Sequence, residues 1–153
     1  MYSKFLLLII LIFTLNSCKK NKPQEKWQHI EISPKDKSQL VTIITKGDKR
    51  YIMNGTHHKI PNDDYLLLDL SEVDRLGDGF SVCWNESNGY KWKIASSYAK
   101  LIENKLDSSK YLYYQPIKKN DLPISIEYKE CNCGSLLIRE NRKPWGDLVV
   151  EYR

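Results

Sequence analysis

The stretch Phe80 to Ala95 constrains the fold of this chain more than any other. Phe80, Val82 and Trp84 alternate with Ser81, Cys83 and Asn85, and Tyr90, Trp92 and Ile94 alternate with Lys91 and Lys93. Period-two patterning on both sides of Ser87-Asn88-Gly89 marks two antiparallel strands joined by a tight turn. A three-residue loop with Gly89 in the left-handed conformation closes on Glu86 and Tyr90. It sets Trp84 opposite Trp92 and Val82 opposite Ile94, all on one face. A two-residue Asn88-Gly89 turn would instead set Trp84 against Lys93 and split the apolar face. The three-residue register is therefore expected. Cys83 then falls on the reverse face opposite Lys93, and a disulfide there would require that face to be covered too.

The rest of the chain repeats the strand signal. Gln28 to Ser33 alternates and stops at Pro34, and Leu40 to Thr45 is rich in β-branched residues. Gly47-Asp48 fits a two-residue turn with glycine first, returning the chain through Lys49 to Met53. Asn54-Gly55 marks a second turn, Thr56 to Asp64 reads as a polar loop, and Tyr65 to Leu70 reads as a central strand. Ser71 is placed to cap a single helical turn over Glu72 to Leu76. Tyr98, Leu101, Ile102 and Leu106 recur at helical spacing, so a helix is expected over residues 97–106. Lys110 to Gln115, Ile124 to Tyr128, Leu136 to Arg139 and Asp147 to Tyr152 read as further strands, with Pro116 to Pro123 as a loop. Short strands separated by turn signals predict a mainly β fold. The expected form is an antiparallel β-sandwich or partly open barrel with one short helix, about residues 97–106. Residues 27–153 are expected to make one globular β-rich domain.

What precedes Trp27 has a different character. Lys4 stands before an unbroken apolar run from Phe5 to Phe13, followed by small and polar residues. That is the layout of a secretory signal, and its nine apolar residues fall far short of the roughly 20 that span a bilayer. The segment ends in Leu15-Asn16-Ser17-Cys18, which resembles the lipobox of bacterial lipoproteins. The resemblance implies cleavage after residue 17 and acylation of Cys18, with a covalent lipid as the only attached group. Residues 1–17 are then a signal peptide and residues 18–26 a lipidated cysteine with a flexible, lysine-rich tether. Lys19-Lys20 lacks the aspartate associated with inner-membrane retention, so the resemblance implies the outer membrane, facing the periplasm. One of the 24 basic residues and no acid lies within 1–17, leaving a charge of about +4 on the remainder. No basic block is long enough for a nucleic-acid patch, and no nucleic-acid partner is expected.

Assigning Cys18 to lipid leaves Cys83, Cys131 and Cys133 of the 4 cysteines. In an oxidising compartment three thiols allow one internal disulfide. A Cys131–Cys133 bridge would close a very small ring, so Cys83 paired with one of them is expected. The C-x-C spacing is not the C-x-x-C of redox proteins, and no second pair completes a structural zinc site.

His57, His58, Asp63 and Asp64 form the one sequence cluster of ligand-type residues, but adjacent histidines in an extended segment point apart. A solvated loop is the expected reading, with no metal or other cofactor. Asp69, Glu72, Asp74 and Asp78 do not match a calcium-loop spacing and are expected to cap and turn. No nucleophile elbow or phosphate loop appears. Tyr111, Tyr113 and Tyr114 cannot all face inward from one strand, so one face is a candidate binding surface. These features predict a non-enzymatic, membrane-anchored envelope lipoprotein whose domain binds another envelope protein, as an immunity or inhibitor protein would. The alternatives are an envelope hydrolase or metal-dependent enzyme using His57 and His58, and a structural accessory of an outer-membrane complex.

Overall fold

A computed structural model describes residues 27–74, 77–85, 89–114, 132–140 and 142–153. Two sheets face one another across a shared core, as in a β-sandwich. The first sheet holds β1 (Trp27–Ser33), β2 (Val41–Lys46), β3 (Lys49–Asn54), β4 (Tyr65–Asp69), β7 (Lys100–Asn104) and β11 (Val149–Tyr152), in the order β11-β1-β2-β3-β4-β7. The second holds β5 (Gly79–Trp84), β6 (Trp92–Ser96), β8 (Tyr111–Tyr114), β9 (Cys133–Leu137) and β10 (Trp145–Gly146), in the order β10-β9-β5-β6-β8.

Alternation explains which side chains meet. In the first sheet Ile30, Ile43, Ile52 and Leu66 are in transverse register, and all four are fully buried. The second sheet answers with Phe80, Val82, Trp84, Trp92, Ile94 and Leu136. Each such aliphatic or aromatic side chain contributes about 1.5–3 kcal/mol by leaving water. The β5–β6 register pairs Trp84 with Trp92, Val82 with Ile94 and Cys83 with Lys93, as the alternation required. The Asn85 N–H donates to the Lys91 carbonyl at 2.7 Å, and Gly89 has φ of 92°. Residues 86–88 of that loop lie outside the described residues. In the β2–β3 hairpin Lys46 pairs with Lys49, and Gly47 takes φ of 57°, the sign a glycine-first turn demands.

Four expectations are corrected. No helix forms over 97–106; β7 occupies Lys100–Asn104 and pairs with β4. Its register slips between Leu67 and Leu68, because Leu68 faces Leu101 while Leu67 faces Glu103. Ile102 is the extra residue of that bulge and is 45% exposed. The bulge shifts the alternation by one position and so imitates helical spacing. Ser71 does not start a helical turn, since residues 71–74 are turn and coil and the Ser71 N–H donates to Asp69 Oδ1 at 3.0 Å. The second sheet is mixed: β8 runs parallel to β6, with Trp92 level with Tyr111 and Ala95 with Tyr114. The chain leaves β6, crosses to the first sheet as β7 and returns as β8, and this crossover permits a parallel neighbour. The segment Leu136 to Arg139 divides into β9 and a 3-10 turn over Ile138–Glu140. The expected loop over 116–123 and strand over 124–128 lie outside the described residues.

Both sheets also carry a small cluster on the outer face. Ile44, Met53 and Tyr65 are buried there on the first sheet with Tyr51, Ile60 and Leu67 against them. Ile60 belongs to the loop 55–64, which is tied down by Thr42: its hydroxyl donates to the Gly55 carbonyl at 2.6 Å and accepts the His57 N–H at 3.1 Å. On the second sheet Cys83, Ala95 and Cys133 are buried with Tyr114 beside them.

Candidate functional site

Cys83 and Cys133 are directly opposite each other on β5 and β9, with Cα atoms 4.1 Å apart, and their sulfurs are bonded. The Trp84 N–H donates to the Asn132 carbonyl at 3.0 Å, so the cysteines occupy the neighbouring close-approach position of the ladder, where side chains lie nearest. Cys83 is thus paired with one of the two expected partners, Cys133. Cys131 and Cys18 lie outside the described residues, as do the signal segment 1–17 and the tether 18–26.

The tyrosines of β8 do not gather on one surface. Tyr111 is buried, with its ring 4.7 Å from that of Trp92. Tyr113 packs on the central core, where burial pushes its hydroxyl well above the ordinary tyrosine range. Tyr114 points to the other face and packs beside the disulfide, with the Lys93 ammonium 5.9 Å from its ring centre. Alternation sends 111 and 113 one way and 114 the other, and packing on both faces uses all three.

The ligand-type residues of loop 55–64 are likewise separated. His57 is half-buried, and its Nε2 is 2.9 Å from the Asn54 carbonyl, an interaction that places the ring proton on Nε2. His58, Asp63 and Asp64 are exposed. Asp64 has φ of 63°, and its charge acts on Lys110 and Tyr111. Among the described residues no three His, Cys, Asp or Glu side chains converge as a metal site would require. Beside this loop Tyr65 donates its hydroxyl proton to Glu103 at 2.8 Å and accepts from Lys105 at 3.1 Å. Those hydrogen bonds hold the Glu103 carboxyl below its usual range and raise the Lys105 ammonium.

The most concentrated chemistry lies where motif reading did not look. Arg50 points into the sandwich, in phase with Ile52, and is completely buried. Asp78, also completely buried, stands one residue before β5. Arg50 Nη1 and Nη2 donate to the two Asp78 carboxylate oxygens at 2.6 and 2.8 Å, and Nε donates to Thr45 Oγ1 at 3.1 Å. Arg139 brings a second guanidinium, Nε lying 3.3 Å from Asp78 Oδ2 and Nη1 donating to the Val73 carbonyl at 3.0 Å. The Asp78 carbonyl accepts the Ile138 N–H at 3.1 Å, and Gln28 donates to the Ile138 carbonyl at 3.1 Å. Asp78 was expected only to form a turn. It is instead the ionic link between the sheets, because the Gly77-Asp78-Gly79 segment carries the carboxylate inward to meet Arg50. A forked arginine–carboxylate pair satisfies both ions geometrically and offsets part of the cost of removing them from water. Arg50 comes from the first sheet and Asp78 and Arg139 from segments flanking strands of the second, so the arrangement clamps the sheets together.

A second acid, Glu31, is buried on the outer face of β1, and Arg153 Nε donates to its Oε2 at 2.9 Å. Its other oxygen and His29 Nε2 are buried without a hydrogen-bond partner among the described residues. Among the described residues the exposed large apolar ones are Trp27, Tyr98, Ile102, Trp145 and Tyr152. Of these, Trp145 lies on β10 and Tyr152 on β11, the strands that end the two sheets on the same side. Among the described residues no helix is long and apolar enough to cross a membrane. No protein family, curated protein or solved structure matches this chain.

Proposed function

We propose that the chain is a lipid-anchored cell-envelope protein whose β-sandwich serves as a non-enzymatic binding module for another envelope protein. The anchoring half of the reading rests on the lipobox-like Leu15-Asn16-Ser17-Cys18 after its apolar run. The binding half rests on one structural observation. Trp145 and Tyr152, 52% and 48% exposed, stand on β10 and β11 at the side where both sheets end, and large exposed aromatics of this kind anchor protein interfaces.

The test is co-purification from detergent-solubilised envelopes. The wild-type chain is expected to retain one stoichiometric partner, and the Trp145→Ala/Tyr152→Ala variant to lose it with unchanged circular dichroism. Absence of any stoichiometric partner, or retention by the variant, sinks the binding reading. Separately, Cys18→Ser should abolish lipid labelling and membrane attachment; a variant that stays fully membrane-bound sinks the anchoring reading.

A further inference from the structure

One end of the first sheet carries an outward-facing row of partly or fully exposed residues. Trp27 is level with Lys46, Lys46 with Lys49, Lys49 with Asp69, and Asp69 with Lys100. The row therefore crosses five strands, a span of about 19 Å at the ordinary spacing between strands. The next two rows of the same face are occupied by Ile44, Met53 and Tyr65 beneath loop 55–64. Trp27 is 57% exposed, and the Lys46 ammonium lies 5.0 Å from its ring centre. Lys49 pairs with Asp69 at 3.6 Å while remaining largely in solvent, and Lys100 is exposed. The row thus joins one large amphipathic ring to three cations and one acid.

That combination suits a phospholipid surface. Tryptophan prefers the headgroup level, where its ring is apolar and its N–H stays wet, and lysines keep their ammonium groups among anionic phosphates. Its place in the chain agrees. Trp27 follows Cys18 by nine residues, so a fully stretched tether keeps it within about 30 Å of a lipidated Cys18. Lys19, Lys20, Lys22 and Lys26 against Glu25 give that tether the same sign of charge as the row. Asp48 at the β2–β3 turn and Glu72 and Asp74 after β4 stand at the same end of the sandwich. The contact therefore belongs to the outward face of the row and not to the end of the sandwich.

We infer that the Trp27–Lys46–Lys49–Lys100 row is a membrane-contact surface, which docks the domain side-on against anionic phospholipid. This rests on the lipid-anchor reading above. The experiment reconstitutes the full lipidated chain into phosphatidylcholine vesicles whose acyl chains are brominated near the headgroup, with and without phosphatidylglycerol. Tryptophan emission reports contact and flotation reports anchorage. The wild type is expected to lose more emission than Trp27→Ala, and that excess should grow with phosphatidylglycerol and shrink in Lys46→Gln/Lys49→Gln/Lys100→Gln. Equal quenching of wild type and Trp27→Ala in floating vesicles overturns the contact while leaving the anchor intact. Failure of the wild-type chain to float overturns the anchor itself. Trp27 is exposed, so its removal should leave the fold unchanged, and near-ultraviolet circular dichroism checks that.

Discussion

Arg50→Met removes a guanidinium from a site without solvent while leaving Asp78 in place. Among the described residues the carboxylate then keeps Arg139, whose side chain is 27% exposed and 3.3 Å away, in place of two donors at 2.6 and 2.8 Å. Breaking a buried pair by deleting one partner costs about 3–5 kcal/mol, because the remaining charge is uncompensated. Domains of this kind are stable by only about 5–15 kcal/mol, so a large share of the total is at stake. At this size the loss corresponds to a fall in Tm of roughly 10–25 °C. Asp78→Asn should cost a similar amount, since two guanidinium groups then share no counter-charge. Urea unfolding followed by tryptophan fluorescence measures both, and the double variant completes the cycle. The pair acts as a unit, so the double variant should cost less than the two single losses together by about 1–3 kcal/mol. A loss below about 1 kcal/mol for either single variant, or strict additivity, would refute the view that this pair clamps the sheets.

Three further outcomes are expected. Cys83 and Cys133 close a 50-residue separation, and replacing both with alanine should cost about 4 kcal/mol on the chain-entropy account; non-reducing peptide mapping should find the crosslink intact in Cys131→Ser and absent in Cys133→Ser. Gly146 has φ of 76°, and an added Cβ would overlap the Cys133 carbonyl oxygen, so Gly146→Ala should lower stability by roughly 2 kcal/mol or more in urea unfolding. The Asp107 carboxyl is held down from 3.8 to about 2, first by Lys110 and then by Ser109. A depressed carboxyl stabilises the fold above its unfolded value, so this contribution should be complete above about pH 4 and disappear as pH falls through about 2; a carboxyl carbon-13 titration with its midpoint near 3.8 would contradict it.

The parts of the fold legible in the sequence are those where one local rule decides. In Phe80 to Ala95 two alternating runs meet at a glycine, and only one register keeps Trp84, Trp92, Val82 and Ile94 together. Residues 97–106 misled because a bulge is a relation between two strands: Ile102 is extra only with respect to Leu67 and Leu68. The parallel placement of β8 beside β6 was equally invisible, since Lys110 to Gln115 carries no mark of which neighbour it will meet. Arg50 did leave a signal. It shares the phase of Ile52 on β3, opposite Tyr51 and Met53, and an arginine at an inward position calls for a buried acid. Asp78 gave none, because an aspartate between two glycines fits a turn equally well. Glu31 was hidden for a related reason: alternation assigns it to solvent, and Arg153, just past β11, pairs with it there.

The pairing of β1 with β11 sets a schedule for folding. Ile30 lies beside Tyr152, and the Arg153–Glu31 ion pair joins residues 122 positions apart. A chain delivered amino end first therefore presents β1 with one edge open until β11 arrives. Hairpins β2–β3 and β5–β6 can close early, within microseconds, but the sandwich cannot be sealed until β11 is free. Were the chain exported as proposed above, such an order of events would keep it threadable during passage and lock it only afterwards. It also makes the open side of β1 the place where a holding factor would do most good in the interval.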